Sequence, residues 1–175
     1  FCLIATIIGV AQTNISVIPE PISIKELKEK EFKLSSTTKI AANVNSTEMQ
    51  SVKFLKEKLE YAFGKKISVT NLSELKDDAN AILFVKVSDK VLGDEGYNLK
   101  VTEKNIVIQA NENAGFFYAI QTLLQLIDPM FVGNHEVVKM CCTKIPACEI
   151  VDYPRFAYRG KHLDVARHFM EIEDV

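Results

Sequence analysis

The residues best suited to chemistry lie close together near the C-terminal end: Arg159, His162, Asp164, Arg167 and His168. Taken alone, they favour a structural ion pair, for example between Arg159 and Asp164. The two histidines are more typical of packing or hydrogen-bonding residues than of general bases. Asp164 is not interpreted as a catalytic acid.

Cysteine is the second residue type that could do chemistry, at positions 2, 141, 142 and 148. A metal site would need paired Cys-x-x-Cys spacing or nearby histidine ligands, and neither pattern is present, so no metal or other cofactor is expected. Sequence neighbours rarely bond each other, so we expect at most one internal disulfide, to Cys148. Structural or free thiols are the preferred interpretation.

The first residues indicate targeting. Residues 1–10 are apolar apart from Thr6, yet too short to cross a bilayer, which needs roughly 20 apolar residues. Gly9 and Ala11 fit the small-residue rule of signal peptidase, so residues 1–11 are interpreted as a signal peptide remnant. An ordinary buried strand is the alternative. Export predicts a secreted, periplasmic or lysosomal protein with no membrane association after cleavage.

Charge patterning argues against one class of partner. The net charge is −2, and lysines and glutamates alternate through residues 25–33, which is typical of a solvated surface. Because no stripe of Arg and Lys with interleaved aromatics is present, nucleic acid is not expected as a partner.

Two helices are expected to organise the chain. Residues 47–63 carry apolar side chains at helical spacing, with Thr47 and Gln50 as a capping box and Gly64 as the stop. Residues 114–127 form the second helix, with Asn113 as N-cap. Its apolar side is interpreted as core and comprises Phe116, Phe117, Ile120, Leu123, Leu124 and Ile127.

Strand patterns surround these helices. We expect strands at residues 14–18, 32–41, 67–69 and 81–87, and a hairpin over residues 97–108 that turns at residues 103–105. Two helices on one face of a small, largely antiparallel sheet define a two-layer α+β domain, assigned to residues 12–150. Pro154 forces an extended backbone just before it, which is typical of a junction. The stretch after this junction is too short for a domain of its own, so residues 151–175 are assigned to a second, truncated domain.

The junction carries a family resemblance. Residues 153–160 read Tyr-Pro-Arg-Phe-Ala-Tyr-Arg-Gly, and residues 163–169 read Leu-Asp-Val-Ala-Arg-His-Phe. This stretch resembles the opening of the catalytic (β/α)8 barrel in glycoside hydrolase family 20, the exo-acting β-N-acetylhexosaminidases. Residues 113–124 are similar to a helix of the accessory domain that precedes that barrel. The resemblance covers nearly all of the mature chain, more weakly over residues 12–110.

The resemblance implies a substrate-assisted retaining mechanism on glycans that end in N-acetylhexosamine. The sugar's 2-acetamido oxygen attacks the anomeric carbon, an Asp orients that group, and an adjacent Glu protonates the leaving oxygen. The family's Asp-Glu pair lies beyond Val175, so this chain alone is expected to be inactive. No cofactor is implied.

The resemblance also assigns roles to residues that are present. Arg159 matches the barrel-strand arginine that holds hydroxyls of the terminal sugar, and a planar guanidinium suits two neighbouring hydroxyls. Asp164, Arg167 and His168 match the same motif, and Asp164 with Arg167 is expected to brace the barrel's first turn. Tyr158 should point away from Arg159, because side chains alternate along a strand.

Two other functions stay open from the sequence. The α+β domain could be a secreted, non-catalytic module that binds carbohydrate or protein, although the absence of Trp disfavours sugar binding. It could also be the accessory domain of a different glycoside hydrolase. A downstream Asp-Glu pair would distinguish these alternatives.

Overall fold

A computed structural model describes residues 15–42, 49–75, 80–127 and 141–162. These residues form nine strands, two α-helices and one 3-10 turn at Leu72–Glu74. The helices are α1 (Met49–Phe63) and α2 (Asn113–Leu126). The strands are β1 (Ser23–Glu26), β2 (Phe32–Ser35), β3 (Lys39–Ala42), β4 (Val69–Thr70), β5 (Ala81–Lys86), β6 (Tyr97–Val101), β7 (Asn105–Ala110), β8 (Cys142–Ile145) and β9 (Cys148–Asp152).

Seven strands form one mixed sheet in the order β1-β9-β6-β7-β5-β3-β4. The half from β1 to β7 pairs antiparallel, and the half from β7 to β4 pairs parallel. β2 and β8 form a separate antiparallel pair. Among the described residues, four of the seven pairings are therefore antiparallel, and the predicted α+β class is confirmed.

The centre of the sheet follows the sequence pattern closely. β6 and β7 form the predicted hairpin, in which Leu99 pairs with Ile108 and Val101 with Ile106. These four side chains are fully buried on one face. The apolar strand β5 lies between β7 and β3, which is the interior position that its composition predicts.

Both helices cover this face of the sheet. Val52, Leu55 and Leu59 of α1 are buried in the same hydrophobic core as Phe116 and Ile120 of α2. The Phe116 ring packs at a tilt against Phe84 of β5, with centroids 5.6 Å apart. The two-layer arrangement thus results from apolar helix faces burying the apolar side of the sheet.

The helix boundaries confirm one detail of the prediction and correct another. α1 ends at Phe63, and Gly64 follows with a φ of 62°, as expected for a helix stop. The predicted capping residue Thr47 lies outside the described residues. Asn113 is not the N-cap of α2: Glu112 takes that position with no side-chain cap, because Asn113 is inside the helix and its side chain accepts a hydrogen bond from Ser51.

Three segments differ from the prediction. Residues 15–18 form no strand, although Ile15 and Val17 are buried, because Gln125 of α2 bonds both the N–H and the carbonyl of Ile18 and replaces a strand partner. The expected strand 32–41 is divided at its bend into β2 and β3, which belong to different sheets. The expected surface segment 25–33 overlaps the edge strand β1.

The predicted start of a barrel stays a prediction. After β9, residues 153–162 form no strand and contain mainly exposed side chains. We call these residues the exit segment. Residues 163–175 lie outside the described residues, as do residues 1–14 with the predicted signal peptide.

Candidate functional site

The exit segment carries Arg159, the residue that the family resemblance assigns to sugar binding. Its guanidinium donates hydrogen bonds to the Phe156 carbonyl at 2.8 Å, to the Glu95 carboxylate, and to the Tyr118 hydroxyl at 3.5 Å. The guanidinium carbon also lies 6.0 Å from the centroid of the Tyr118 ring. The bond to Glu95, followed by the bond to Tyr118, raises the pKa of Arg159, which is therefore a permanent cation.

Glu95 and Tyr118 are positioned by a tight packing contact. Glu95 ends the turn before β6, where the Gly96 N–H donates to the Leu92 carbonyl at 2.9 Å. Gly115 of α2 packs directly on this turn: a Cβ at Gly115 would lie 2.3 Å from the Gly96 carbonyl oxygen. The absence of a side chain at Gly115 lets α2 approach, and Tyr118 follows one helical turn later.

A pocket of about 580 Å³ lies between α2, the N-terminal segment and the exit segment. Its polar groups include Glu20, Asp152 and Arg155, and its aromatic groups include Tyr153 and Phe156. Asp152 also accepts a hydrogen bond from the Ile22 N–H at 3.2 Å. Arg159 and Glu95 contribute to the same lining, so the pocket and the arginine contacts form one site.

A row of three aromatic rings, two exposed and one half-buried, begins at this site and continues across both helices. We call Tyr118, Phe117 and Phe54 the aromatic row. The Tyr118 and Phe117 centroids are 6.0 Å apart, and those of Phe117 and Phe54 are 5.5 Å apart. Arg159 lies over Tyr118 at one end, and the Lys58 amine lies 5.7 Å from the Phe54 ring at the other. Tyr118 and Phe117 are each 39% exposed.

The two helices hold this row in a fixed arrangement. The Ser51 hydroxyl donates to the Asn113 side-chain oxygen at 2.8 Å, which joins the first turns of α1 and α2. Beneath the row, the Tyr97 and Thr122 hydroxyls share a buried hydrogen bond between β6 and α2. Burial raises the pKa of Tyr97 to about 12, so this phenol stays protonated at neutral pH.

The chemistry-bearing residues near Arg159 in the sequence also include His162, Asp164, Arg167 and His168. Asp164, Arg167 and His168 lie outside the described residues, and His162 is exposed. The structure pairs Arg159 with Glu95 of the α+β domain, a contact 64 positions away in sequence. Tyr158, which was excluded from the site, is 90% exposed.

Sequence reasoning missed Glu95 and misplaced part of the aromatic row. It assigned Phe117 and Leu124 to the core, whereas Phe117 is exposed and Leu124 is only partly buried. The correction follows from helix geometry, because adjacent residues diverge around the axis and Phe116 and Leu123 take the core positions. The doublets Phe116-Phe117 and Leu123-Leu124 make the apolar side of the helix wider than one buried stripe. This width was the available signal that one residue of each doublet would lie outside the core.

The three cysteines of the described residues are free. Cys148 is buried in β9, where burial and then the Glu26 charge raise its pKa to about 12. Within the same residues, no group of three or more His, Cys, Asp or Glu side chains could hold a metal ion. None of the described helices is both long and apolar enough to cross a membrane.

Comparison with known proteins assigns the fold. Residues 14–153 match the family model described as glycosyl hydrolase family 20, domain 2. The chain is 32% identical over 163 residues to a β-hexosaminidase of Porphyromonas gingivalis, covering 93% of this chain and 20% of that protein. It is 29% identical to a β-N-acetylhexosaminidase of Cellulomonas fimi, covering 93% and 31% respectively.

Solved structures agree with this assignment. The N-acetyl-β-hexosaminidase of Streptomyces plicatus superposes with a TM-score of 0.75 at 28% identity, over 90% of this chain and 30% of that one. The family 20 β-N-acetylhexosaminidase of Streptomyces coelicolor gives a TM-score of 0.72 at 29% identity, with the same coverage. The chain thus spans less than a third of the length of these proteins, and it belongs to glycosyl hydrolase family 20, in which residues 14–153 correspond to domain 2.

Proposed function

We propose that this chain is the N-terminal part of an exo-acting β-N-acetylhexosaminidase and that residues 14–153 serve as its accessory domain. The observation that carries the proposal is the family match over those residues. The relatives that cover most of this chain are named β-hexosaminidases, and one related structure from Streptomyces plicatus holds N-acetylglucosamine as product.

In this proposal the full-length protein removes terminal N-acetylhexosamine from glycans by the substrate-assisted retaining route. The Asp-Glu pair would be supplied by sequence after Val175, and no cofactor takes part. The contribution of this chain would be twofold: an arginine for the sugar and a folded surface that supports the catalytic portion.

The aromatic row is the surface that suits this supporting role. Phe117 and Tyr118 expose apolar area on rigid helices, and the exit segment leaves the domain beside them. A catalytic portion that follows the exit segment would reach this row directly. Burying exposed aromatic area stabilises by about 25 cal/mol per Å², so the row offers a favourable docking contact.

Arg159 would then exchange partners. Its contacts with Glu95 and Tyr118 are exposed, and exposed ion pairs contribute little to stability. Assembly of a barrel strand could therefore withdraw Arg159 from Glu95 at small cost. In the complete enzyme its planar guanidinium would bridge two hydroxyls of the terminal sugar.

Activity measurements test the function directly. The full-length protein should hydrolyse a β-N-acetylglucosaminide, and the 175-residue chain should not. The expected difference is large because general acid catalysis alone contributes roughly 100- to 10,000-fold. Turnover by the purified 175-residue chain above that of a mock purification would contradict the proposal, and so would an inactive full-length protein.

A substitution at Arg159 tests the binding role. Arg159→Lys in the full-length enzyme keeps the charge and loses the planar fork, so kcat/KM should fall roughly 10- to 150-fold. The loss should shrink for deoxy substrates that lack the bridged hydroxyls. A structural arginine would instead lower the thermal midpoint and reduce kcat/KM equally for every substrate.

Variants of the aromatic row test the docking role. Phe117→Ser should lower the thermal midpoint of the full-length enzyme clearly and that of the 175-residue chain only slightly. Val91→Ser is the matched control, because Val91 is 66% exposed and lies outside the row. Equal decreases in thermal midpoint for Phe117→Ser in both proteins would show that the aromatic row does not contact the catalytic portion.

We also propose that the protein is exported. Expression with a complete signal sequence should yield a mature chain that begins at Gln12, as the small residues Gly9 and Ala11 predict. N-terminal sequencing of the exported protein measures this, and a product that retains Cys2 would contradict it.

A further inference from the structure

Cys141 and Cys142 form a pair of thiols outside the site described above. Their Sγ atoms lie 3.6 Å apart, and both cysteines are free. Cys141 is exposed and Cys142 is half-buried, so a reagent in solvent can reach the pair. Neither thiol has a part in the proposed hydrolase function.

A bend in the chain explains why the two sulfurs are close. Successive side chains of a regular strand point to opposite faces, which would separate neighbouring thiols. Cys141 lies at a bend immediately before β8, whereas Cys142 is the first residue of β8 and pairs with Ser35. The bend is therefore the feature that allows the two neighbouring thiols to lie close together.

A direct bond between these sulfurs is disfavoured by the backbone. Adjacent Cα atoms are about 3.8 Å apart, whereas disulfides usually join Cα atoms about 4.4–6.8 Å apart. A third atom between the sulfurs removes this restriction. With bonds of about 2.3 Å to each sulfur, as in zinc thiolates, one atom spans the observed 3.6 Å at an angle of about 100°.

The number of available ligands indicates which thiol-binding element the pair of cysteines can hold. Structural zinc requires four ligands, and no cluster of three or more candidate ligands occurs in the part of the chain that the structure describes. A trivalent arsenical that carries one organic group needs only two sulfurs. We propose that Cys141 and Cys142 form a bidentate dithiol site for a trivalent arsenical.

The binding step balances without a redox partner. With an aryl arsenoxide, the two S–H bonds and the arsenic–oxygen double bond are broken, and two arsenic–sulfur bonds form. Both protons leave with the oxygen as one water molecule. Neither arsenic nor sulfur changes oxidation state, so no oxidant or reductant is required.

Phenylarsine oxide tests the site on the reduced 175-residue chain. Intact-mass spectrometry should show one phenylarsenic group per chain, which survives excess 2-mercaptoethanol and is released by dithiothreitol. Cys141→Ser and Cys142→Ser should each weaken retention of the phenylarsenic group by roughly 100-fold or more. A second bond formed within the same molecule raises the affinity by about 100- to 10,000-fold, and each variant loses that second bond. Alanine variants at both positions repeat the measurement, so that one poorly folded substitution does not decide it.

Two further cysteines supply the controls. Cys2→Ser and Cys148→Ala should bind the arsenical as the unsubstituted chain does. Loss of binding in either control would overturn the proposal, as would unchanged retention in the Cys141 and Cys142 variants. A product of the reduced chain in air that joins Cys141 to Cys142 and excludes the arsenical would also overturn it, in favour of a disulfide.

Discussion

The interior of the sheet and the exit segment are fixed by different forces. In β5, β6, β7 and α2, large side chains such as Phe84, Leu99 and Phe116 are fully buried in one core. In the exit segment, Phe156 is 73% exposed, and Arg159 is bound through exposed contacts with Glu95 and Tyr118. The first region is determined by burial, the second by a few surface interactions.

The residues that stabilise the fold therefore differ from the residue that is predicted to bind the sugar. The residues that fix the fold have no chemical role in the proposed mechanism, whereas the one predicted sugar ligand is held through exposed contacts. A weakly held segment can be moved into another structure at small cost, which is what a residue shared between two domains requires.

The largest expected effect is loss of a core ring. Phe116→Ala removes the ring contact with Phe84 and leaves a cavity, so the free energy of unfolding should fall by about 3–5 kcal/mol. Phe156→Ala in the exit segment is the matched control and should change it by less than about 0.5 kcal/mol. Urea denaturation measures both, and similar losses would abolish the distinction between the regions.

Alkaline pH should act on the sheet interior through two buried groups. Burial raises the pKa of Tyr97 from 10.0 and that of Cys148 from 9.0, each to about 12. Both pKa values are higher in the folded state, so this stability is fully present below about pH 9 and is lost as pH rises towards 12. The loss from Tyr97 alone should be about 2–3 kcal/mol.

Substitutions identify the groups responsible for this pH dependence. Cys148→Ala and Tyr97→Phe should each flatten the decline in unfolding free energy between pH 9 and pH 12. Tyr158→Phe is the control, because it removes the same hydroxyl from a side chain that is 90% exposed and lies outside the sheet interior. An unchanged decline in Tyr97→Phe would place the sensitivity elsewhere.

A glycine comparison probes the contact that positions the site. Gly→Ala inside a helix usually stabilises, yet the Gly115→Ala Cβ would overlap the Gly96 carbonyl, so unfolding free energy should fall by about 1–3 kcal/mol. Gly160→Ala meets only the flexible Tyr158 side chain and should have almost no effect. Stabilisation by Gly115→Ala would show that α2 can move away from the turn.

The smallest effect should come from the ion pair itself. Glu95→Gln removes the charge that faces Arg159, and because the pair is exposed, the thermal midpoint of the 175-residue chain should not change measurably. A clear decrease would mean that the exit segment is held as firmly as the core. Arg159→Gln, alone and combined with Glu95→Gln, completes the double-mutant cycle.

Local sequence patterns were sufficient for the elements whose partners are close in the chain. The β6–β7 hairpin follows from alternation across a three-residue turn, and α1 ends where Gly64 adopts a positive φ. The interior position of β5 follows from its apolar composition. Each of these depends on spacing within a single segment, which the sequence displays directly.

The contacts between distant segments became known from the tertiary structure and not from local sequence patterns. The pairing of β1 with β9, the parallel half of the sheet and the outward position of Phe117 depend on which surfaces meet after folding. The same is true of Glu95 with Arg159 and of the bend that joins Cys141 and Cys142. Local patterns in the sequence were enough for α1, α2, β5, the β6–β7 hairpin and the family resemblance. The neighbours of these elements depend on packing, because long-range contacts arise from burial that no local pattern records.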